Sequence, residues 1–131
     1  MPDSPSSSES EPAPARANIA VVGTGWWATQ VHIPALQENI HTEATHLCDH
    51  DPKRLGTALD AFPGTRGHGD LDDMLASTNL DAAIIATNHS THYALARRCL
   101  ETGLHVLIEK PMTLVAPEAK ALLDLAEDTQ R

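Results

Sequence analysis

Ile19-Ala20-Val21-Val22-Gly23-Thr24-Gly25-Trp26-Trp27-Ala28 runs four apolar, mostly β-branched residues into a Gly-x-Gly-x-x-Ala turn. Helix-forming residues with an apolar face follow from Thr29 to Asn39, so the order is strand, tight turn, helix. The first N–H groups of such a helix lack intrahelical partners and carry the positive end of the helix dipole, which suits a pyrophosphate. Gly23 permits the sharp turn, Gly25 lets the backbone approach the phosphates with no Cβ between them, and Ala28 is small enough for close packing of helix on strand. Thr24, Trp26 and Trp27 share the turn and join the two glycines as candidate binding residues. Trp26 and Trp27 could stack on a bound ligand or fill packing gaps. A Gly-rich turn without a ligand looks the same in isolation, so the surrounding chain has to decide.

Further along, Ala44 to Cys48 reads as a second strand ending at Asp49-His50-Asp51-Pro52. Asp51-Pro52 starts a helix to about Ala61, with proline at a tolerated first-turn position. Thr65 to His68 is a short third strand and Leu71 to Ser77 a short helix. Asp81 to Ala86 is an apolar run bounded by polar residues, as expected for a parallel strand covered on both faces. His89 to Thr102 reads as a helix closed by Gly103, and His105 to Glu109 as a fifth strand. Pro117 to about Thr129 is an amphipathic helix with Ala119, Leu122, Leu123 and Ala126 on one face. Strands alternating with helices imply right-handed crossovers and an α/β fold class, a doubly wound parallel sheet. With a strand before it and a helix after it, the glycine turn reads as a dinucleotide site.

A carboxylate about 20 residues beyond such a glycine motif accepts hydrogen bonds from the adenosine ribose. Asp49 stands at that distance, at the end of the second strand. A carboxylate there repels the 2′-phosphate of NADP and favours NAD as cofactor. His50, Lys53 and Arg54 can partly neutralise that phosphate, so NADP stays open. Asp51 suits the cap of the following helix better than Asp49, which leaves Asp49 free for the ribose.

Composition narrows the partners. At 131 residues the chain is the size of one domain, and a net charge of −9 with nine Lys and Arg argues against nucleic acid. Cys48 and Cys99 lie in apolar stretches without CxxC spacing and read as buried free thiols of a reducing compartment. No apolar run approaches the ~20 residues of a membrane span, and the start of the chain lacks the basic and apolar regions of a signal peptide. No membrane is expected as a partner, and the protein reads as cytoplasmic. Residues 1–17, dominated by Ser, Pro, Glu and Ala, are expected to be a disordered tail before a binding domain over 18–131. His89 and His92 are three apart with no third ligand near, so no metal site is expected. His41, His46, His50 and His68 read as surface residues.

After the fourth strand comes Ala86-Thr87-Asn88-His89-Ser90-Thr91-His92-Tyr93, and after the fifth comes Glu109-Lys110-Pro111-Met112. With the glycine motif and Cys48-Asp49-His50-Asp51-Pro52, these resemble the N-terminal domain of the Gfo/Idh/MocA family, that of glucose-fructose oxidoreductase and inositol dehydrogenase. The resemblance covers about Asn18 to Arg131. It implies a Rossmann fold binding NAD(P), with Thr87 and Asn88 lining the cofactor cleft and His92 facing it from the first turn of its helix. It further implies that Glu109 and Lys110 lie near the nicotinamide ribose, where the Lys-Pro bond of the family is often cis, and that Lys110 is catalytic, holding the substrate hydroxyl. An ammonium beside a bound hydroxyl is a donor and can tune its proton transfer.

Members of that family continue into a sixth strand and a second domain that carries most of the substrate pocket. The resemblance therefore implies a truncated chain whose sheet presents an uncovered edge, completed by a second chain that supplies the missing domain. On this reading it is the nucleotide-binding half of an NAD(P)-dependent oxidoreductase acting on a sugar, cyclitol or related polyol. The alternative is a non-catalytic dinucleotide-binding module, and a third reading is a degenerate remnant that lacks cooperative unfolding.

Overall fold

The computed structural model describes residues 12, 15–77 and 79–131. Most of the expected tail lies outside the described residues. Its last residue, Ala17, instead opens the first strand.

Five strands, β1 (Ala17–Val22), β2 (Thr42–Cys48), β3 (Arg66–His68), β4 (Ala82–Ile85) and β5 (His105–Ile108), form one sheet in the order β3-β2-β1-β4-β5. Every pairing is parallel. The strand order reverses between β1 and β4, so their C-terminal ends diverge into a crevice where ligands of such sheets bind. Helices α1 (Ile33–Glu38), α2 (Pro52–Ala61), α3 (Leu71–Ser77), α4 (His92–Glu101) and α5 (Ala116–Asp128) cover the sheet.

Alternation along the central strands divides the core into two layers. Val21 and Leu47 point to one face and pack with Ala28, Ile33, Leu55 and Ala58 beneath α1 and α2. Ala20, Val22, Cys48, Ala83 and Ile85 point to the other and pack with Met74, Ala96, Cys99, Leu100 and Leu122 beneath α3, α4 and α5. Cys48 and Cys99 are both free and buried. Burial pushes their thiols up to about 11 and about 12, which keeps them protonated. β5 is an edge strand, and its Leu107 is exposed.

Local chemistry sets the helix ends. Asp51 caps α2, its carboxylate accepting from the N–H groups of Lys53 (2.9 Å) and Arg54 (3.2 Å), with Pro52 in the first turn. Gly103, at φ +91°, ends α4: its N–H reaches Leu100 O at 2.9 Å, and Leu104 N–H reaches Cys99 O at 3.0 Å.

The structure corrects two sequence expectations. The helix after the glycine turn spans 26–38, and its middle turn, Ala28–His32, is a π-helix in which Ile33 N–H bonds to Ala28 O. Pro34 accounts for this: it has no N–H to donate, and its ring excludes the carbonyl four residues back, so the preceding turn widens. In α5, Leu122 is buried while Leu123 is exposed. The packed stripe is Leu122, Leu125 and Ala126, because α5 rests on α4 and its apolar face is turned from the one drawn through Leu123. Among the described residues no helix is long and apolar enough to cross a membrane.

Candidate dinucleotide site

A cavity of about 530 Å³ opens at the C-terminal ends of β1, β2 and β4, lined by Gly23, Gly25, Asp49, Arg54, Thr87 and Asn88 among others. Gly23 holds φ +93°, and a Cβ there would lie 2.6 Å from Ala86 O, so glycine is required both for the turn and for the close approach of the β4 end. A Cβ on Gly25 would meet nothing within 4 Å. That open space above the backbone, at the start of a helix, is the cradle a phosphate needs.

Asp49 differs from the expectation of a free carboxylate. It accepts from Thr24 N–H (2.9 Å), the Thr24 hydroxyl (2.8 Å), Asp51 N–H (2.9 Å), Arg54 Nε (2.9 Å) and Arg54 NH2 (3.4 Å). These five bonds use its acceptor capacity. Burial alone would push the carboxyl up, but the Arg54 guanidinium, Asp51 N–H and Thr24 outweigh it and hold the carboxyl well below the usual carboxylate range. Thr24 is buried and turned to Asp49. Asp49 thus ties the glycine turn to the end of β2, with the half-exposed Arg54 between it and solvent.

On the β4 side, Thr87 is half-buried and its hydroxyl accepts from that of Thr91 at 2.7 Å, while Asn88 is exposed at the cavity wall. His92 is fully buried rather than facing the cleft. Its Nδ1 lies 2.7 Å from Pro111 O and its Nε2 3.0 Å from Thr87 O, so the ring is pinned between the turns after β4 and β5. The Lys110-Pro111 bond is cis and Lys110 is exposed.

Sequence reasoning passed over His32. Glu109 Oε1 accepts from Trp27 Nε1 at 2.7 Å and lies 2.5 Å from His32 Nε2, while Lys110 N–H reaches Glu109 Oε2 at 3.3 Å. The hydrogen bond from Trp27, then that from His32, holds the Glu109 carboxyl below its ordinary value. Trp26 and Trp27 fill no packing gap; both are exposed, with ring centroids 6.0 Å apart. The signal that points to His32 is Pro34, which forces a widened turn between Trp27 and His32. His41 and His50 are exposed as expected, whereas His46 and His68 are half-buried with Nδ1 and Nε2 2.9 Å apart. The register of β2 on β3 brings them together on one face of the sheet.

The model of the Gfo/Idh/MocA oxidoreductase family, NAD-binding Rossmann fold, matches residues 17–131. The chain belongs to this family. Its relatives include D-xylose 1-dehydrogenase (NADP(+)) 2 of Haloferax volcanii, 33% identical over 110 residues, which are 84% of this chain and 34% of that protein. D-apiose dehydrogenase of Paraburkholderia graminis is 31% identical over 108 residues, 82% of this chain and 28% of that protein. Among solved structures, the WlbA dehydrogenase from Bordetella pertussis, in complex with NADH and UDP-GlcNAcA, superposes with a TM-score of 0.84 at 30% identity. That superposition covers 90% of this chain and 35% of the dehydrogenase. The chain spans about a third of the length of the curated relatives it matches. It corresponds to the nucleotide-binding domain of these Gfo/Idh/MocA proteins.

Proposed function

We propose that this chain is the nucleotide-binding half of an NAD(P)-dependent oxidoreductase that transfers hydride between the nicotinamide and a sugar, cyclitol or related polyol. The observation that carries the cofactor reading is the open cradle over Gly25 at the floor of the cavity, placed at the reversal of strand order. The sugar reading is supported by relatives named as D-xylose and D-apiose dehydrogenases.

In this proposal the turn from Gly23 to Trp27 holds the pyrophosphate, with Thr24 fixing the turn through Asp49. The adenosine ribose approaches Asp49, and the partner it displaces is Arg54, whose half-exposed side chain can move aside. Thr87, Asn88, Glu109 and Lys110 line the nicotinamide half. When bound, the nicotinamide supplies the hydride acceptor or donor. Lys110, exposed at the end of β5, holds the substrate hydroxyl whose proton moves with that hydride. His92 fixes the turns that carry Thr87 and Lys110. A second chain or domain supplies the remaining substrate pocket; without it, the same cleft acts as a non-catalytic binding module.

Titration with NADH and NADPH, followed by quenching of Trp26 and Trp27, tests the cofactor reading. The expected outcome is saturable binding, tighter for NADH and weakened in Asp49→Ala. A folded chain that binds neither dinucleotide overturns it.

A further inference from the structure

The π turn has a geometric effect that an α-helix cannot produce. In an α-helix, residues five apart point about 140° from one another. The widened turn Ala28–His32 brings Trp27 and His32 onto one side, where both meet the same oxygen of Glu109 at 2.7 and 2.5 Å. The indole N–H can only donate and an ionised carboxylate can only accept, so His32 must carry its hydrogen on Nε2. The two rings meet edge to face, centroids 6.4 Å apart at 85°. This clasp spans the end of β4, joining the helix after β1 to the turn after β5.

The position matters if the dinucleotide binds as proposed. With adenosine on the Asp49 side and pyrophosphate at the glycine turn, the other half of the molecule must lie over β4 and β5. There Glu109 has one oxygen, Oε2, whose contact in the structure is the 3.3 Å bond from Lys110 N–H, leaving it lone pairs for a ligand hydroxyl.

We infer that His32 is a positioning residue: with Trp27, and by virtue of the π turn, it aims the Glu109 carboxylate and the adjoining Lys110 at the nicotinamide half of the cofactor. Its substitution therefore weakens the dinucleotide without touching the adenosine half. This rests on the cofactor reading above, and the test separates the two.

ADP, which ends at the pyrophosphate, and NADH are titrated calorimetrically into the wild-type chain, His32→Ala, His32→Gln and Trp27→Phe. Glutamine keeps a donor near the place of Nε2. In His32→Ala, NADH affinity falls about tenfold, the scale of one hydrogen bond to a charged group, while ADP affinity stays within about twofold. His32→Gln recovers most of the loss, and Trp27→Phe, which removes the indole N–H, shows a smaller loss of the same selective kind. In a ¹⁵N–¹H spectrum the Trp27 indole resonance moves in His32→Ala and returns towards its wild-type position in His32→Gln. NADH affinity unchanged in His32→Ala, or equal loss for NADH and ADP, overturns the role of His32 and leaves the cofactor reading standing. Should His32→Ala not fold, His32→Phe, which keeps a ring without the donor, takes its place: a loss confined to NADH and recovered in His32→Gln supports the role, and no loss or equal loss for NADH and ADP overturns it. Failure of the folded wild-type chain to bind NADH or NADPH overturns the cofactor reading and this inference with it.

Discussion

At the β2 end of the cleft the Asp49 side chain is 3% exposed and accepts five hydrogen bonds; at the β5 end the Glu109 side chain is 26% exposed and accepts three. Both carboxylates join a turn to a neighbouring element, yet they stand on different links between structure and function. A buried carboxylate surrounded by donors contributes to folding, because removing it orphans those donors away from water. One that solvent partly reaches gains less for the fold, since water can replace its partners. In the free chain the Asp49 carboxylate is taken up by the scaffold, so a ligand there must displace Arg54, whereas Glu109 Oε2 has lone pairs open to one.

The largest expected effect lies between the two ends, where the chain leaves β1 beside the end of β4. Gly23→Ala forces a positive φ on a side chain and drives its Cβ to 2.6 Å from Ala86 O. Urea unfolding should show a loss of at least about 3 kcal/mol, from backbone strain and overpacking together. Asp49→Ala comes next, at about 2 kcal/mol. It falls below the loss of about 3–5 kcal/mol for a fully buried pair because Arg54 is half exposed. A loss in Asp49→Ala no greater than in Glu109→Gln would end the distinction between the two regions.

A third effect comes from acid. Burial lowers both histidines from their ordinary 6.5, followed for His46 by the charge of His68 and for both by that of Arg66. A histidine lowered in the folded state binds its proton more readily unfolded, so its contribution is complete above pH 6.5 and is lost as pH falls below it. Glu109 and Asp49 are lowered from 4.5 and 3.8, so their contributions are lost only as pH falls below those values. Stability measured from pH 7.5 to 5 should therefore decline through the histidine pair, and His68→Gln should flatten the curve. A His68→Gln curve parallel to wild type would remove the pair from this account. The smallest expected effect is that of Glu109→Gln on stability, within about 0.5 kcal/mol, as for surface substitutions generally.

The elements were legible where the signal was local. The apolar run before Gly23, the Asp51-Pro52 start of α2 and the Gly103 end of α4 each lie within a few residues of what they cause. Less of the site could be read. The glycines and Asp49 announce themselves by spacing, but nothing in Cys48-Asp49-His50 shows that Thr24 and Arg54 will saturate the carboxylate. Leu123 fits the helical period as well as Leu125 does, and only the placement of α5 on α4 chooses between them.

The sequence by itself determined the alternation of strands and helices, the glycine turn and the family, because hydrophobic period, capping and φ preference act between near neighbours. Tertiary structure decided that Asp49 is engaged, that His92 is buried between two carbonyls and that His46 meets His68. It also decided that Trp27 and His32 converge on a residue 82 and 77 positions away. Contacts of that range follow from strand order and from one widened helical turn, and no local pattern encodes the partner at the far end.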